Sequence, residues 1–346
     1  MLWNVSPILL SDRRGQDQFD ALLKKAGIRR DNNLDYIAGV YDSDYKLVAC
    51  GACFGNTLRC LAVDNELQGE GLMATMVTHL FDYQMEQGNS HLFLYTKSDN
   101  IDIFSSLGFY EIERAGNDAV LMENRKKGFQ DYLNKISAEK KSGKTAMLVM
   151  NCNPFTLGHR YLIETASKEN DNLFLFVVSE DMSLFSFADR FKLVKEGCAG
   201  LTNISFHSTG SYMISSATFP SYFLKDDVSA IEVQVKLDLA IFTRIANAAG
   251  ATARYVGDEP FSVVTNIYNK TMIEKLPLAG IKCVVLPRCE KDGKAVSASA
   301  VRKLIQAGDM EGVKQLVPET TYRYFFTENG KKVIEKIKAA KDVVHY

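Results

Sequence analysis

The segment NPFTLGH, residues 153–159, places proline, threonine, glycine and histidine between the apolar run TAMLVM and the helically spaced RYLIETASKEN. A helix that begins straight after a buried parallel strand points free backbone N–H groups beyond the strand's carboxyl end. Phosphate oxygens are natural ligands for such donors. In this reading Pro154 fixes the backbone entering the turn, and Gly158 leaves out a side chain where a phosphate must approach. Thr156 offers a hydroxyl, and His159 falls in the first helical turn with its imidazole aimed at the same place. Taken alone, Asn153-Pro154 is also an ordinary turn and His159 an incidental helix-start residue, because short motifs recur by chance.

A second segment, VSASAVRKLI at 296–305, has matching chemistry. Ser297 or Ser299 can cap a helix whose first turn also carries Arg302, so that hydroxyls, terminal N–H groups and a guanidinium converge on phosphate oxygens. By itself the same pattern is a plain helix cap. Between the two lie SFADRFKLVKEG, where Arg190 and Lys192 either reach phosphate or substrate or sit on a solvated helix turn, and YVGDEPFSVVTNIYN. In the latter, Gly257 and Asp258 leave a strand where loops of parallel sheets meet base and ribose, or else form a structural turn. Nearer the N-terminus, LQGEGLM (67–73) joins a strand to a helix with Gly69 and Gly71, whose amides can bind a pyrophosphate without a basic side chain. DNIDIFSSLGF adds Asn100, Phe104, Gly108 and Phe109.

Two rhythms of secondary structure position these residues. From residue 33, NLDYIAGVYD, YKLVACGACFG and TLRCLAVD read as strands in close succession, with YDSDY a hairpin joint. A helix follows over 71–88, with Leu72, Met76, His79 and Leu80 on one face and Gly88 as its stop. Then come HLFLYTK, a short helix ending at SSLGF, and the strand-like FYEIER and AVLME. The lysine-rich NRKKGFQDYLNKISAEKKSGK predicts an exposed helix at a seam. Beyond it, apolar strand candidates at 146–150, 173–178, 253–257 and 281–286 alternate with helical segments, as a parallel sheet with covering helices requires. The expected partition is 1–125, a helical linker 126–143, and 144–346.

The bulk properties exclude several classes. With 46% hydrophobic and 24% charged residues, a net charge of −1 and a pI near 6.5, nothing marks a nucleic-acid binder. The seven cysteines are odd in number and irregularly spaced, which reads as reduced thiols. Cys50-x-x-Cys53 has no second pair and lies in a strand, so it reads as structural. SGKT at 142–145 lacks the upstream glycine of a P-loop, Ala138 standing there, and precedes a strand instead of following one. No apolar stretch approaches membrane-spanning length and the N-terminus has no basic start before a cleavable apolar segment, so a cytoplasmic location, with no membrane, is expected.

The corner at 153–159 and the segment at 296–302 together resemble the nucleotidyltransferase superfamily, with its (H/T)-x-G-H corner and distal I-S-x-S-x-V-R segment. Thr156 takes the first histidine's place, Asn153 that of an aspartate or asparagine, and Val296 that of isoleucine. LQGEGLM resembles the Q/R-x-x-G-x-G/A turn with which GNAT acetyltransferases bind coenzyme A, although Met73 replaces the closing small residue. The two in this order, with NCNPFTLGHRYLIE, SEDMSLFSFADRF, VGDEPFSVVTNIYN and VSASAVR, resemble the citrate lyase ligase family over nearly the whole chain. The resemblance implies an α/β protein, a GNAT-like α+β domain followed by a Rossmann-like parallel nucleotidyltransferase domain. It implies that acetate attacks ATP, carried as its Mg2+ complex, to give acetyl adenylate and pyrophosphate. The thiol of a phosphoribosyl-dephospho-CoA group on the acyl-carrier (gamma) subunit of citrate lyase then takes the acetyl group. His159 and Thr156 would stabilise the α-phosphate, and Ser299 and Arg302 the departing phosphates. Asn153, Pro154, Phe155, Gly158, Arg190, Gly257, Asp258 and Ser297 would complete the ATP site. Gln68, Gly69, Gly71 and Asn100 would hold the CoA-like group. An adenylyltransferase acting on a cofactor phosphate, or a CoA or nucleotide sensor, remains open on the motifs alone.

Overall fold

Strand β1 (Val5–Pro7) and helix α1 (Arg13–Lys25) precede the apolar runs read from the sequence. Next come β2 (Tyr36–Tyr41), β3 (Leu47–Phe54) and β4 (Thr57–Val63), antiparallel because their polar joints allow only a direct return. Helix α2 (Leu72–Glu86) carries the chain to β5 (Phe93–Thr96), which runs parallel to β4. Helix α3 (Ile101–Ser106), β6 (Tyr110–Ala115) and β7 (Ala119–Glu123) follow, giving a seven-stranded sheet of order β1-β2-β3-β4-β5-β7-β6. Leu72, Met76 and Leu80 of α2 are buried on this sheet, as their spacing requires. His79 is only half-buried and meets the Tyr36 hydroxyl at 2.7 Å. Gly88 ends the helix with φ +83°, a conformation that favours glycine.

The structure is a computed structural model that describes residues 3–179, 182–213, 219–220, 222–224, 227–258, 263–291 and 293–343. Its chain divides into two units: Met1–Tyr132 with Thr218–Ile241, and Leu133–Ala217 with Phe242–Tyr346. Helix α4 (Gly128–Ala138) spans the first division in sequence. The exposed helix expected there is corrected: Phe129, Leu133 and Ile136 are buried, one stripe at helical spacing among the lysines and polar residues.

In the second unit, β8 (Thr145–Met150), α5 (Leu157–Glu169), β9 (Asn172–Val177), α6 (Phe187–Gly197) and β10 (Ile204–Ser208) are followed by α7 (Asp227–Ala249), β11 (Ala253–Gly257), α8 (Val263–Lys275) and β12 (Lys282–Leu286). The five strands are all parallel, in the order β10-β9-β8-β11-β12. Ala146, Met147, Leu148 and every residue from Leu173 to Val177 are buried, the continuous apolar character of strands covered on both faces. β10 was not expected. Its sequence ISFHS is half polar because it lies at the sheet's edge and is only half-buried. The short ribbon β13 (Glu290–Lys291) and β14 (Lys294–Ala295) leads to α9 (Ala298–Ala307), α10 (Met310–Leu316), α11 (Glu319–Tyr324) and α12 (Glu328–Ala339). The strand order places the switch of winding direction between β8 and β11, where an open α/β sheet leaves a crevice at its carboxyl end. Among the described residues, no helix is long and apolar enough to cross a membrane.

Candidate functional site

A pocket of about 500 Å³ occupies that crevice in the second unit. The carboxyl ends of β8, β11 and β12 form its floor, through Met150, Gly257 and Leu286. The amino ends of α5 and α9 meet over it, bringing together Thr156, Gly158 and His159 with Ser297, Ser299 and Arg302. Asn153, Gly257 and Asp258 complete the set of anticipated residues on its wall.

The turn from β8 into α5 is unusually shaped. Cys152 has φ +55°, and the Asn153-Pro154 peptide is cis. Asn153 is 2% exposed, and its Oδ1 accepts the Phe185 N–H at 3.2 Å. That bond fixes the amide's orientation. Among the described residues its Nδ2 is buried without a hydrogen-bond partner, on a residue that lines the pocket. An unpaired buried donor is unfavourable unless a ligand completes it.

Thr156 caps α5. Its Oγ1 accepts the His159 N–H at 3.3 Å, while its own N–H donates to His159 Nδ1 at 3.1 Å. Because Nδ1 is an acceptor, the neutral ring must carry its proton on Nε2. Burial and then the Arg302 charge lower the imidazole pKa to about 4. His159 is therefore a neutral N–H donor at physiological pH. Phe155, fully buried, stacks behind it with centroids 6.1 Å apart.

Gly158 lines the pocket and meets a packing requirement as well. A Cβ there would lie 2.6 Å from the Val296 carbonyl oxygen, so the glycine lets the start of α5 pack against the strand leading into α9. Ser297 is the α9 cap, accepting the Ala300 N–H at 3.1 Å, and its hydroxyl is 3.1 Å from that of Ser299. Arg302 is 2% exposed; its Nε donates to the Val343 carbonyl at 2.6 Å and its Nη1 to the Asn153 carbonyl. Burial lowers its pKa to about 10, so it stays charged. It ties α9 to the 153 turn while adding positive potential to the wall.

Three expected ATP contacts are placed elsewhere. Pro154 and Phe155 are buried behind the turn and do not line the pocket. Arg190, 0% exposed, donates to the carbonyls of Phe185, Asn151 and Val178 and to Asn151 Oδ1. Its guanidinium braces the loop after β8, since a buried fork of five donors is best satisfied by converging carbonyls. Glu180, Asp181 and residues 259–262, within the quoted motifs, lie outside the described residues.

Sequence reasoning missed Arg288, which lines the pocket and donates from Nε to the Asp258 carbonyl at 3.0 Å. Its position two residues beyond β12, at the carboxyl edge of the sheet, was the available signal. Asn269 was also missed; it lines the pocket and donates from Nδ2 to the Gly257 carbonyl at 3.2 Å. All seven cysteines are free thiols. Burial pushes the Cys152 thiol far above its usual range, so this pocket-lining residue is no nucleophile.

In the first unit, Gln68, Gly69, Gly71 and Asn100 line one cavity beside the start of α2. Gly69 and Gly71 have φ +91° and +78°, which turn the chain into the helix.

A family model described as the citrate lyase ligase C-terminal domain matches residues 145–325. The [citrate [pro-3S]-lyase] ligase of Klebsiella pneumoniae is 41% identical over 91% of this chain and 94% of its own length. The chain belongs to the citrate lyase ligase family. The ligase of the same name from Haemophilus influenzae is 37% identical, covering 87% of this chain and 92% of its own. Among solved structures, a GNAT-family acetyltransferase from Staphylococcus aureus MU50 is similar over 35% of this chain and 98% of its own, at 14% identity and a TM-score of 0.31. The family relatives are ligases by name, and two α/β units, one with a mixed seven-stranded sheet and one with a five-stranded parallel sheet, fit the α/β architecture read from the sequence.

Proposed function

We propose that this chain activates acetate as acetyl adenylate and acetylates the thiol of a phosphoribosyl-dephospho-CoA group on the citrate lyase acyl-carrier subunit, activating that lyase. The observation that carries the reading is the pocket wall. A neutral His159 Nε2–H, the unpartnered Asn153 Nδ2, two helix amino ends and the Arg302 charge all face anionic ligands with donors.

In the first step an acetate oxygen bonds to the α-phosphorus, and the bond from that phosphorus to the β-bridging oxygen breaks. Pyrophosphate leaves with the magnesium it arrived with. His159 and the α5 amides stabilise charge on the α-phosphate; Ser297, Ser299 and the α9 amides receive the leaving phosphates. Gly257 and Asp258 meet the nucleoside. In the second step the carrier's thiol reacts as the thiolate, its proton released to solvent; sulfur bonds to the acetyl carbonyl carbon, the bond from that carbon to the bridging oxygen breaks, and AMP leaves with that oxygen. Both nucleophiles are substrates, so positioning and charge stabilisation are the enzyme's task. We assign the arm of the carrier to the first unit, at Gln68, Gly69, Gly71 and Asn100, and the functional division to 1–125 and 144–346 joined by 126–143, except that 218–241 returns to the first unit.

Carboxyl-18O acetate tests this with the carrier, ATP and Mg2+ present. The label should enter AMP, with one pyrophosphate per acetate consumed. Pyrophosphate release that ignores acetate, with no label in AMP, would refute the reading.

A further inference from the structure

Parallel strands β4 and β5 are paired only at Thr57↔Phe93 and Leu58↔Leu94, although β4 continues to Val63 and β5 to Thr96. Past Leu58 and Leu94 the two strands part, and a cavity of about 670 Å³ fills the gap. Leu61, Ala62 and Val63 flank it on one side and Tyr95, Thr96 and Lys97 on the other. At the strand ends, where the gap is widest, Gly69 and Gly71 line it. Back along β4 from Val63 to Cys60 is about 10 Å, three extended residues.

The end wall at that depth comes from a distant part of the chain. Tyr222 and Phe223, 7% and 6% exposed, line the cavity. Cys60, at φ +51°, lies where the β3–β4 register shifts, so its amide turns out of the ladder. That amide hydrogen-bonds the Tyr222 hydroxyl. At the other end of the residue, the Tyr222 carbonyl accepts the Arg29 N–H at 2.7 Å. Phe223 packs edge-on against Tyr222 at 5.4 Å, and Phe219 closes edge-on against Tyr95 at 5.6 Å. Tyr222 is thus pinned at its backbone and its hydroxyl, with aromatic rings around it.

We propose that Tyr222 is the end stop of this cavity and sets its specificity: an extended arm ending in a free thiol fits to full depth, and an acyl group on that thiol does not. The inference rests on the assignment of the carrier's arm to the first unit. Its consequence is directional. The unit holds the thiol substrate and rejects the thioester product, so it favours release after acetylation and offers no place for an acyl acceptor of its own. Gaining room for an acetyl group would mean breaking the bond to Cys60 and moving a buried ring, and misfits of this size discriminate by about 10-fold to 200-fold.

Titration calorimetry of the full chain with dephospho-CoA and with S-acetyl dephospho-CoA, the second unit's pocket held saturated with ATP and Mg2+ in the absence of acetate, tests the proposal. The wild type should bind the thiol at least about 10-fold tighter. Tyr222→Ala should bring the two affinities together by gaining the thioester, whereas Tyr222→Phe, which keeps the ring, should retain most of the preference. Circular dichroism establishes that the variants are folded, and the wild-type ratio alone decides if Tyr222→Ala is not. Equal wild-type affinities, or a preference untouched in folded Tyr222→Ala, would overturn the end stop while leaving the arm in the first unit. Absence of binding by either ligand would overturn the arm's placement, and the end stop with it.

Discussion

Replacing Asn153 by aspartate changes one NH2 for an oxygen and little else. The Oδ1 that accepts the Phe185 N–H at 3.2 Å is kept, as is the main-chain carbonyl held by Arg302. What changes is the atom without a partner, from a donor to an anionic acceptor. If Nδ2 completes its bonding on a substrate oxyanion, losing that bond removes about 1.5–3 kcal/mol. A carboxylate about 4 Å from the substrate charge adds repulsion of about 4 kcal/mol at an effective dielectric near 20. The Arg302 charge, which already lowers the His159 pKa, offsets part of this. The net is about 3–6 kcal/mol, or about two to four orders of magnitude in kcat/KM for acetate-dependent pyrophosphate release. Asn153→Ala loses the donor without adding charge and should fall by only about 10-fold to 150-fold. The N153D variant should also recover toward acid pH, as its buried carboxyl takes up a proton. If N153D is as active as Asn153→Ala, or shows no acid recovery, the donor role is wrong.

Four further outcomes are expected. His159→Ala should lower kcat by about 10²-fold to 10⁴-fold with folding retained; wild-type turnover would remove His159 from the reaction. The imidazole stays neutral in the fold down to about pH 4, so kcat should show no acid limb near 6.5 from this residue. The unfolded chain takes up the proton below about 6.5, so stability tied to His159 is full above that pH and falls as pH drops from 6.5 to 4. Denaturant midpoints of wild type and His159→Gln across that window check the sign, the variant having the shallower slope. Gly158→Ala sets a methyl against the Val296 carbonyl; it should lose about 1–3 kcal/mol by urea unfolding and, by parting α5 from α9, most of the activity. A variant as stable and active as wild type would mean that the two helix starts tolerate separation.

What was legible followed from rules that act locally. β8, β9 and β11 lie inside the sheet and are largely buried, so each is an apolar run; β12, at one edge and half-buried, was legible because KCVVL is still mostly apolar, and the glycines at 69, 71 and 88 mark places where the chain takes positive φ. The corner at 153–159 and the cap at 297–302 were readable because helix starts after parallel strands use a small set of residue types. β10 escaped because an edge strand needs no apolar face on both sides. Arg190 was misplaced because an arginine at a helix start has the same sequence signature whether its fork meets a phosphate or three main-chain carbonyls. Which of these it meets depends on long-range packing. The return of Phe219–Phe223 to the first unit is similarly silent, since a pair of aromatic residues does not name the strands it will cover.

The polar atoms of the second unit's pocket have a bias that narrows the chemistry. Serine and threonine hydroxyls are turned to cap α5 and α9, the imidazole is held as an Nε2–H donor, and Asn153 keeps its carbonyl for Phe185 and leaves its NH2 open. Among the described residues Asp258, exposed on the wall, is the carboxylate on that lining, and its carbonyl is held by Arg288. A site that deprotonates a hydroxyl or an amine nucleophile needs an acceptor of suitable pKa within reach. A neutral imidazole with Nδ1 already occupied and Nε2 protonated cannot serve, and the Cys152 thiol is held protonated by burial. A nucleophile that arrives already ionised needs no base, only donors to offset its repulsion from the phosphate it attacks. Acetate, ionised at neutral pH, meets that condition without a base, which accords with the proposed reaction.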